Sequence, residues 1–437
     1  MILFYNILLL IITIMFSPFI IPVLLLSGKR RKTFLPRLGI SKILSGFTYH
    51  ARPAARKQTL WVHALSVGEV LSAVPLVKKL GKDIADAKIV FSVSTKTGYE
   101  IAGNLLPEAV DTVFFFPYDL YFSVKSVARK IDPALVVIVE SDIWPNFLCE
   151  MKNRSVPVLL VNARLSDRSF KKYRQFSFII KRVLASFAVI CAQSGQDAER
   201  YLTAGIPAEI VTVTGNIKFD QESIAFSEAE TLELKNSLQI TPDSKILLAG
   251  STHQGEESII SEVFGKLKKE MKELVLIIAP RNPERAESVY GIYQSAGYSA
   301  VQLKDIHRTD SAEGYDVIII DIIGILNKLY SIADAAFIGG SLVKRGGHNP
   351  LEPAAFSKPI IFGPDMSNFA EISDMLLKAG AARQVLNAAD FYEVASRLLL
   401  DKKEYARMGK NAYAVFADNK GAVEKVINEI RKLLKPL

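Results

Sequence analysis

The sequence predicts an α/β protein: two doubly wound parallel-sheet domains behind an N-terminal membrane anchor helix. Three observations predict it. Short β-branched runs alternate with amphipathic stretches from Thr59 onward, the series restarts after a polar segment near the middle, and the first 26 residues carry no charge. Hydrophobic residues make up 49% of the 437, enough for sizeable cores and too many for a disordered chain.

The uncharged segment, Met1 to Leu26, would rise roughly 39 Å as a helix, enough to cross a hydrocarbon core with tilt. A signal peptide would show a basic start, a shorter apolar stretch and a small-residue cleavage site, and this segment has none of them. A buried core helix is the other alternative. Pro18 and Pro22 leave open whether the segment spans the bilayer or lies partly in the interface. Nine basic residues and no acidic one follow between Lys29 and Lys57, matching the whole formal net charge of +9. The positive-inside tendency puts the rest of the chain in the cytoplasm, with membrane lipids as a partner. No nucleic-acid-binding motif accompanies the basic character, so nucleic acid is not an expected partner. Cys149 and Cys191 are too few for a disulfide framework and read as small apolar core residues.

The repeated strand–helix pattern gives seven strands in the first series: TLWVHA, KIVFSVS, DTVFFF, ALVVIV, PVLLVNA, FAVICA and EIVTV. The second series gives five: KILLAG, LVLIIAP, DVIIID, AAFIGG and PIIFG. The expected organisation is an anchor over 1–28, a first domain over 29–220 and a second over 221–437, facing across a cleft. The last helical stretch, from Ala422, is a candidate to pack back on the first domain. No internal repeat or low-complexity tract appears.

Ligands bind at the carboxyl ends of strands in such sheets, so those ends hold the candidate site. The first gives HALSVGE. Ser66 and Glu69 have S-x-x-E spacing, a plain capping box, and Gly68 lies between them. Glu69 read instead as a general base meets an objection, because a helix N-terminus lowers a carboxyl's basicity. Negative charge from Glu140 and Asp142, in ESDIWPN, is one source of compensation. The plain reading of those two is one capping residue and one exposed acid. Arg164, Arg168, Lys171, Lys172 and Arg174 form a basic patch, either a solvated helix face or a grip for a phosphate-rich acceptor. Lys218 in GNIKFD is either a surface lysine or a clamp on an anionic donor. In the second domain Ser251 and Thr252 can hold a phosphate at a strand end, and Arg281 follows another. The string GGSLVKRGGHNPLEP is the most specific. Gly339 and Gly340 allow close backbone approach, Gly346 and Gly347 make a turn, and a short helix starts near Pro350. Ser341, Gly347 and His348 lie in the same string, and Glu352 is placed to accept from ribose hydroxyls. No Walker A sequence, zinc spacing or G-x-S-x-G elbow occurs, so no metal or cofactor is implied.

Read together, HALSVGE, ESDIWPN, NARLSDRS, GNIKFD, STHQGEE, APRNPER and GGSLVKRGGHNPLEP resemble the 3-deoxy-D-manno-octulosonic acid (Kdo) transferases of lipopolysaccharide synthesis, over nearly the whole chain. The resemblance implies a GT-B fold and inverting transfer of Kdo from a CMP-Kdo donor to a lipid A precursor, without a required metal. It makes Glu69 the base and Glu140 and Lys218 the groups that stabilise the transition state. Pro280 and Arg281, then Ile323, Gly324 and Ile325, then Asn349, Pro350, Leu351 and Glu352, match the family's CMP-binding segments. Two positions depart from the family pattern, which usually has glutamate at both: Asp142 and Ile325. The rival readings are a GT-B transferase using a UDP-sugar and a non-enzymatic membrane-bound nucleotide or lipid scaffold.

Overall fold

The computed structural model describes residues 2–26, 28–39, 58–84, 87–140, 142–175, 177–220, 226–306 and 314–434. The basic residues Lys42, Arg52, Arg56 and Lys57 lie outside these, as do the side chains of Arg168, Lys172 and Arg174. The chain divides into two compact units, Met1–Gln221 with Asn419–Leu437, and Glu222–Asp418.

The first unit holds β1 (Gln58–Ala64), β2 (Ala87–Val93), β3 (Thr112–Phe115), β4 (Leu135–Val139), β5 (Val158–Ala163), β6 (Val189–Ala192) and β7 (Val211–Val213). They form one sheet in the order β3-β2-β1-β4-β5-β6-β7. Every pairing is parallel, so helices cover both faces and the strands read as continuous apolar runs. Leu60, Val62, Val137 and Val161 face one core, and Trp61, Val136, Ile138 and Leu160 face the other. The last helix, Ala422–Leu433, buries Ala422, Val423, Val426, Ile427 and Ile430 in the first of these cores. Its i, i+4, i+8 spacing makes one apolar stripe, and each buried valine or isoleucine on it contributes ~1.5–3 kcal/mol.

The second unit holds β8 (Lys245–Thr252), β9 (Leu274–Pro280), β10 (Ala300–Gln302), β11 (Val317–Ile319), β12 (Ala335–Ile338), β13 (Ile360–Phe362) and β14 (Ala382–Gln384). Their order is β10-β11-β9-β8-β12-β13-β14, again parallel. This sheet has seven strands where sequence pattern gives five. The two it misses, β10 and β14, are three-residue strands at the sheet edges, too short and too polar to stand out from loops.

Both sheets are doubly wound, and the direction of winding reverses beside β1 in the first unit and β8 in the second. Crevices form at the carboxyl ends of β1/β4 and β8/β12, the places where such sheets take ligands. Helix Ile2–Leu26 precedes all of this and is apolar and long enough to cross a membrane by length and composition, with a mean hydropathy of 2.2 over Ile2–Phe19.

Candidate active site

In the first unit, β1 delivers Ser66 as the N-cap of helix Val67–Asp83, with extended backbone. The Glu69 carboxylate turns back and accepts from the Ser66 N–H at 3.1 Å and from the Ser66 hydroxyl. This is the capping geometry that S-x-x-E spacing implies. Glu69 is half-buried, and open space surrounds the position a Gly68 side chain would take.

β4 delivers Glu140 in left-handed backbone, φ +63°. That conformation costs a non-glycine residue roughly 1–2 kcal/mol and is held only where the surroundings over-determine it. Here they do. The Glu140 N–H donates to the Val161 carbonyl at 2.8 Å, and its Oε1 lies 3.1 Å from Lys218 Nζ. Lys218 sits in the turn Ile217–Asp220, which is tied on both sides. The Ile217 N–H donates to Asn162 Oδ1 at 3.1 Å. Asp220 accepts from the Gly421 and Val423 N–H groups, both at 2.6 Å, so the turn is fastened to the start of the last helix. Lys218 is thus half-buried and ion-paired, not a loose surface lysine.

Asp142 is buried, which excludes its reading as an exposed acid. It accepts from His63 Nε2 at 2.7 Å. His63 Nδ1 lies 2.9 Å from Ser92 Oγ, and Ser92 Oγ accepts from Trp61 Nε1 at 2.7 Å. His63 Nδ1 also lies 3.0 Å from the Ser92 carbonyl, so the ring is held between Ser92 and Asp142. The two acids after β4 therefore each have their own partner. Arg164 is exposed just beyond β5, and Lys171 is exposed on the following helix.

In the second unit, Ser251 also has left-handed backbone, φ +57°, and the β8/β9 register shifts between Gly250 and Thr252. Thr252 is fully buried, its carbonyl accepts from the Arg281 N–H at 3.0 Å, and its hydroxyl has no partner among the described residues. Pro280 is buried at the end of β9 while Arg281 is exposed. Ile323 is 86% exposed, beside Gly324 at φ +97°. Ile325 caps helix Leu326–Tyr330 and packs on a core, so at this departure from the family pattern the side chain points to structure.

The glycine-rich string after β12 is organised by a residue that sequence pattern does not single out. Buried Glu256 accepts from the N–H groups of Gly340 (2.7 Å), Ser341 (3.1 Å), Leu342 (3.0 Å) and His253 (2.9 Å). Burial pushes its carboxyl above the usual range, and the four amides pull the other way. Gly339 is required by packing inside the protein: a Cβ there would lie 2.3 Å from the Ser251 carbonyl oxygen. Gly347 donates to the Gly340 carbonyl at 3.0 Å, and the Ser341 hydroxyl to that of Ile338. His348 and His253 stack, with Nε2 atoms 2.9 Å apart. Burial, with Arg281 nearby, lowers His348 to about 4. Asn349 accepts from the Leu351 N–H at 3.0 Å and donates to Glu352 at 3.5 Å. Leu351 is buried, and helix Leu351–Ala355 follows Pro350. Burial raises the Glu352 carboxyl to about 7, so near neutrality it both donates and accepts.

A family model described as 3-deoxy-D-manno-octulosonic-acid transferase (kdotransferase) matches residues 37–221. The chain is 36% identical over 382 residues to the 3-deoxy-D-manno-octulosonic acid transferase of Haemophilus influenzae, covering 87% of each protein. It belongs to the Kdo transferase family. The enzyme of the same name from Rickettsia felis is 31% identical over 383 residues, covering 86% of this chain and 80% of that one. Among solved structures, UDP-GlcNAc 2-epimerase from Neisseria meningitidis superposes with a TM-score of 0.59 at 15% identity, over 86% of this chain and 100% of the other. A glycosyltransferase from Rickettsia africae gives 0.54 at 13%, over 87% and 100%. At those identities the likeness is one of fold, and the fold is GT-B.

In this member of the family the first unit thus collects Ser66, Glu69, Glu140, Asp142 and Lys218 at the ends of β1 and β4 and on the Lys218 turn. The second collects Ser251, Thr252, Gly340, Ser341 and His348 at the ends of β8 and β12. Sequence reasoning missed His63, His253 and Glu256. A signal for Glu256 existed: in HQGEE, two acids open the helix that follows a strand end, and only one is needed to favour a helix start.

Proposed function

We propose that this family member transfers Kdo from CMP-Kdo to the lipid A precursor lipid IVA. It does so with inversion, with the acceptor on the first unit, the donor on the second, and Glu69 as general base. The reaction belongs to lipopolysaccharide core assembly, and we assign it to the cytoplasmic face of a bacterial inner membrane. The observation that carries this reading is the Glu140–Lys218 pair held in strained backbone beside the Glu69 strand end.

Glu69 takes the proton of the acceptor hydroxyl as that oxygen bonds to the anomeric carbon. The bond from that carbon to the CMP phosphate oxygen breaks, and CMP leaves with the electron pair. The ground-state partners of Glu69 are the Ser66 N–H and hydroxyl, which orient it. Lys218, with Glu140 fixing its position, stabilises negative charge as the phosphate departs. Arg281 and the neutral His348 face the donor's anionic part, and Glu352 the ribose hydroxyls.

The test is Kdo transfer from CMP-Kdo to purified lipid IVA by the full chain and by Glu69→Ala. The variant should lose at least a thousandfold in kcat while CMP still raises its melting temperature. Turnover within tenfold of the parent would remove Glu69 from the base role. Protection by UDP but not CMP would overturn the donor assignment.

A further inference from the structure

Helix Ile2–Leu26 is apolar all round. Leu3, Phe4, Leu10, Ile14 and Phe19 are each 58–73% exposed, and they lie on different sides of the helix. Such a surface belongs in hydrocarbon. Its polar groups suit that setting, because Thr13 donates to the Leu9 carbonyl and Ser17 to that of Ile14, both at 2.7 Å. The Ile14 carbonyl is the one that Pro18 deprives of its helical donor, so the Ser17 hydroxyl replaces the missing N–H.

Where the two ends of this segment go decides its path. At its start, Tyr5 donates to Asp119 Oδ2 at 2.9 Å, and the side-chain amides of Asn6 and Asn146 pair reciprocally at 2.9 and 2.7 Å. Asp119 is itself fixed by the Asn146 and Phe147 N–H groups. Beyond its end, helix Gly28–Arg37 returns to the same loop. The Tyr118 N–H donates to the Arg37 carbonyl at 2.9 Å, Arg37 Nε donates to the Phe116 carbonyl at 2.9 Å, and its guanidinium lies 4.1 Å over the Tyr118 ring. One four-residue loop, Phe116 to Asp119, therefore holds both ends.

A helix of ten residues reaches about 14 Å from first to last Cα, and the step from Leu26 to Gly28 adds at most about 7 Å. Leu26 thus lies within about 21 Å of Arg37, short of the ~30 Å of a hydrocarbon core. We propose that the N-terminal helix lies along one face of the bilayer without crossing it, since the basic run that opens helix Gly28–Arg37 keeps its far end out of the hydrocarbon, and that the adjoining Tyr121–Phe122 edge rests on that same face. Tyr121 and Phe122 are 52% and 56% exposed, two and three residues after Asp119. Lys125 donates to the Tyr121 hydroxyl at 3.1 Å. Aromatic rings with lysine beside them suit the headgroup layer of an anionic membrane. The inference rests on the membrane association proposed above, and not on the transfer chemistry.

The test uses the full chain with Cys149→Ser and Cys191→Ala and a short uncharged extension, Gly-Ser-Cys-Gly, ahead of Met1. A membrane-impermeant maleimide should label it in inverted inner-membrane vesicles at least tenfold faster than in spheroplasts. The reverse preference, that of a spanning helix, would overturn the proposal. In the same background without the extension, an environment-sensitive dye on Phe122→Cys should be quenched by spin-labelled lipid in phosphatidylglycerol-containing proteoliposomes. A dye that reads as fully aqueous would remove this edge from the membrane. Both arms report position, so loss or absence of Kdo transfer leaves them readable.

Discussion

Glu256→Gln should destabilise the second unit by about 3–5 kcal/mol, and the reasoning rests on four donors meeting one carboxylate. Oε1 accepts from Ser341 and Leu342, and Oε2 from Gly340 and His253, all between 2.7 and 3.1 Å. Glutamine keeps one acceptor oxygen and turns an NH2 group toward the other two N–H donors. Two buried donors are then unpaired at ~1–3 kcal/mol each, and the remaining two bonds lose their charge assistance. For a unit of roughly 200 residues, 2–4 °C per kcal/mol gives a fall of about 10 °C in melting temperature. Calorimetry of the full chain should show the second unit's transition shifted while the first holds. CMP protection should weaken in parallel, since Gly340, Ser341 and His253 are what Glu256 arranges. A melting temperature within 2 °C of the parent would refute the claim that this carboxylate organises the turn.

At Glu140, Gly relieves the left-handed backbone and Ala does not, so Glu140→Gly should unfold at about 1 kcal/mol higher stability than Glu140→Ala, with transfer lost in both; equal stabilities in urea titrations would contradict the strain. His348 and Glu352 should tilt the pH dependence of the second unit in opposite senses. The His348 value of about 4 lies below its unfolded value, so the stability it contributes is present above pH ~6.5 and lost as pH falls toward 4. Relative to the parent, His348→Gln should therefore gain about 2 kcal/mol at pH 4.5, allowing for its partial exposure. The Glu352 value of about 7 is raised, so stability falls as pH rises through 4.5 to 7, and Glu352→Gln should gain at pH 8 but not at pH 5. Melting curves of each variant against the parent at those pH values check both signs. Asp220→Ala releases the last helix from the Lys218 turn and should lower kcat about tenfold or more with little change in KM for CMP-Kdo; an unchanged kcat would remove Asp220 as a positioning residue.

Local sequence determined which segments became strands and which residues stand at their ends. Twelve of the fourteen strands show as β-branched or aromatic runs, because a strand buried on both faces must be apolar along its length. The short edge strands β10 and β14 have no such run, and only pairing with β11 and β13 makes them strands. The motif strings placed Glu69, Glu140, Ser251 and Gly340 at strand ends for the same local reason.

Tertiary structure decided what each of those residues touches. Asp142 meets His63 across 79 residues and Gly340 meets Glu256 across 84, separations at which no periodic pattern carries information. The stripe on helix Ala422–Leu433 announces burial, yet apolar attraction has no direction, and only the fold shows that the first sheet receives it. The N-terminal segment is the same case. Its composition makes it apolar, while the hydrogen bonds of Tyr5 and Arg37 fasten both ends of the N-terminal region to one loop.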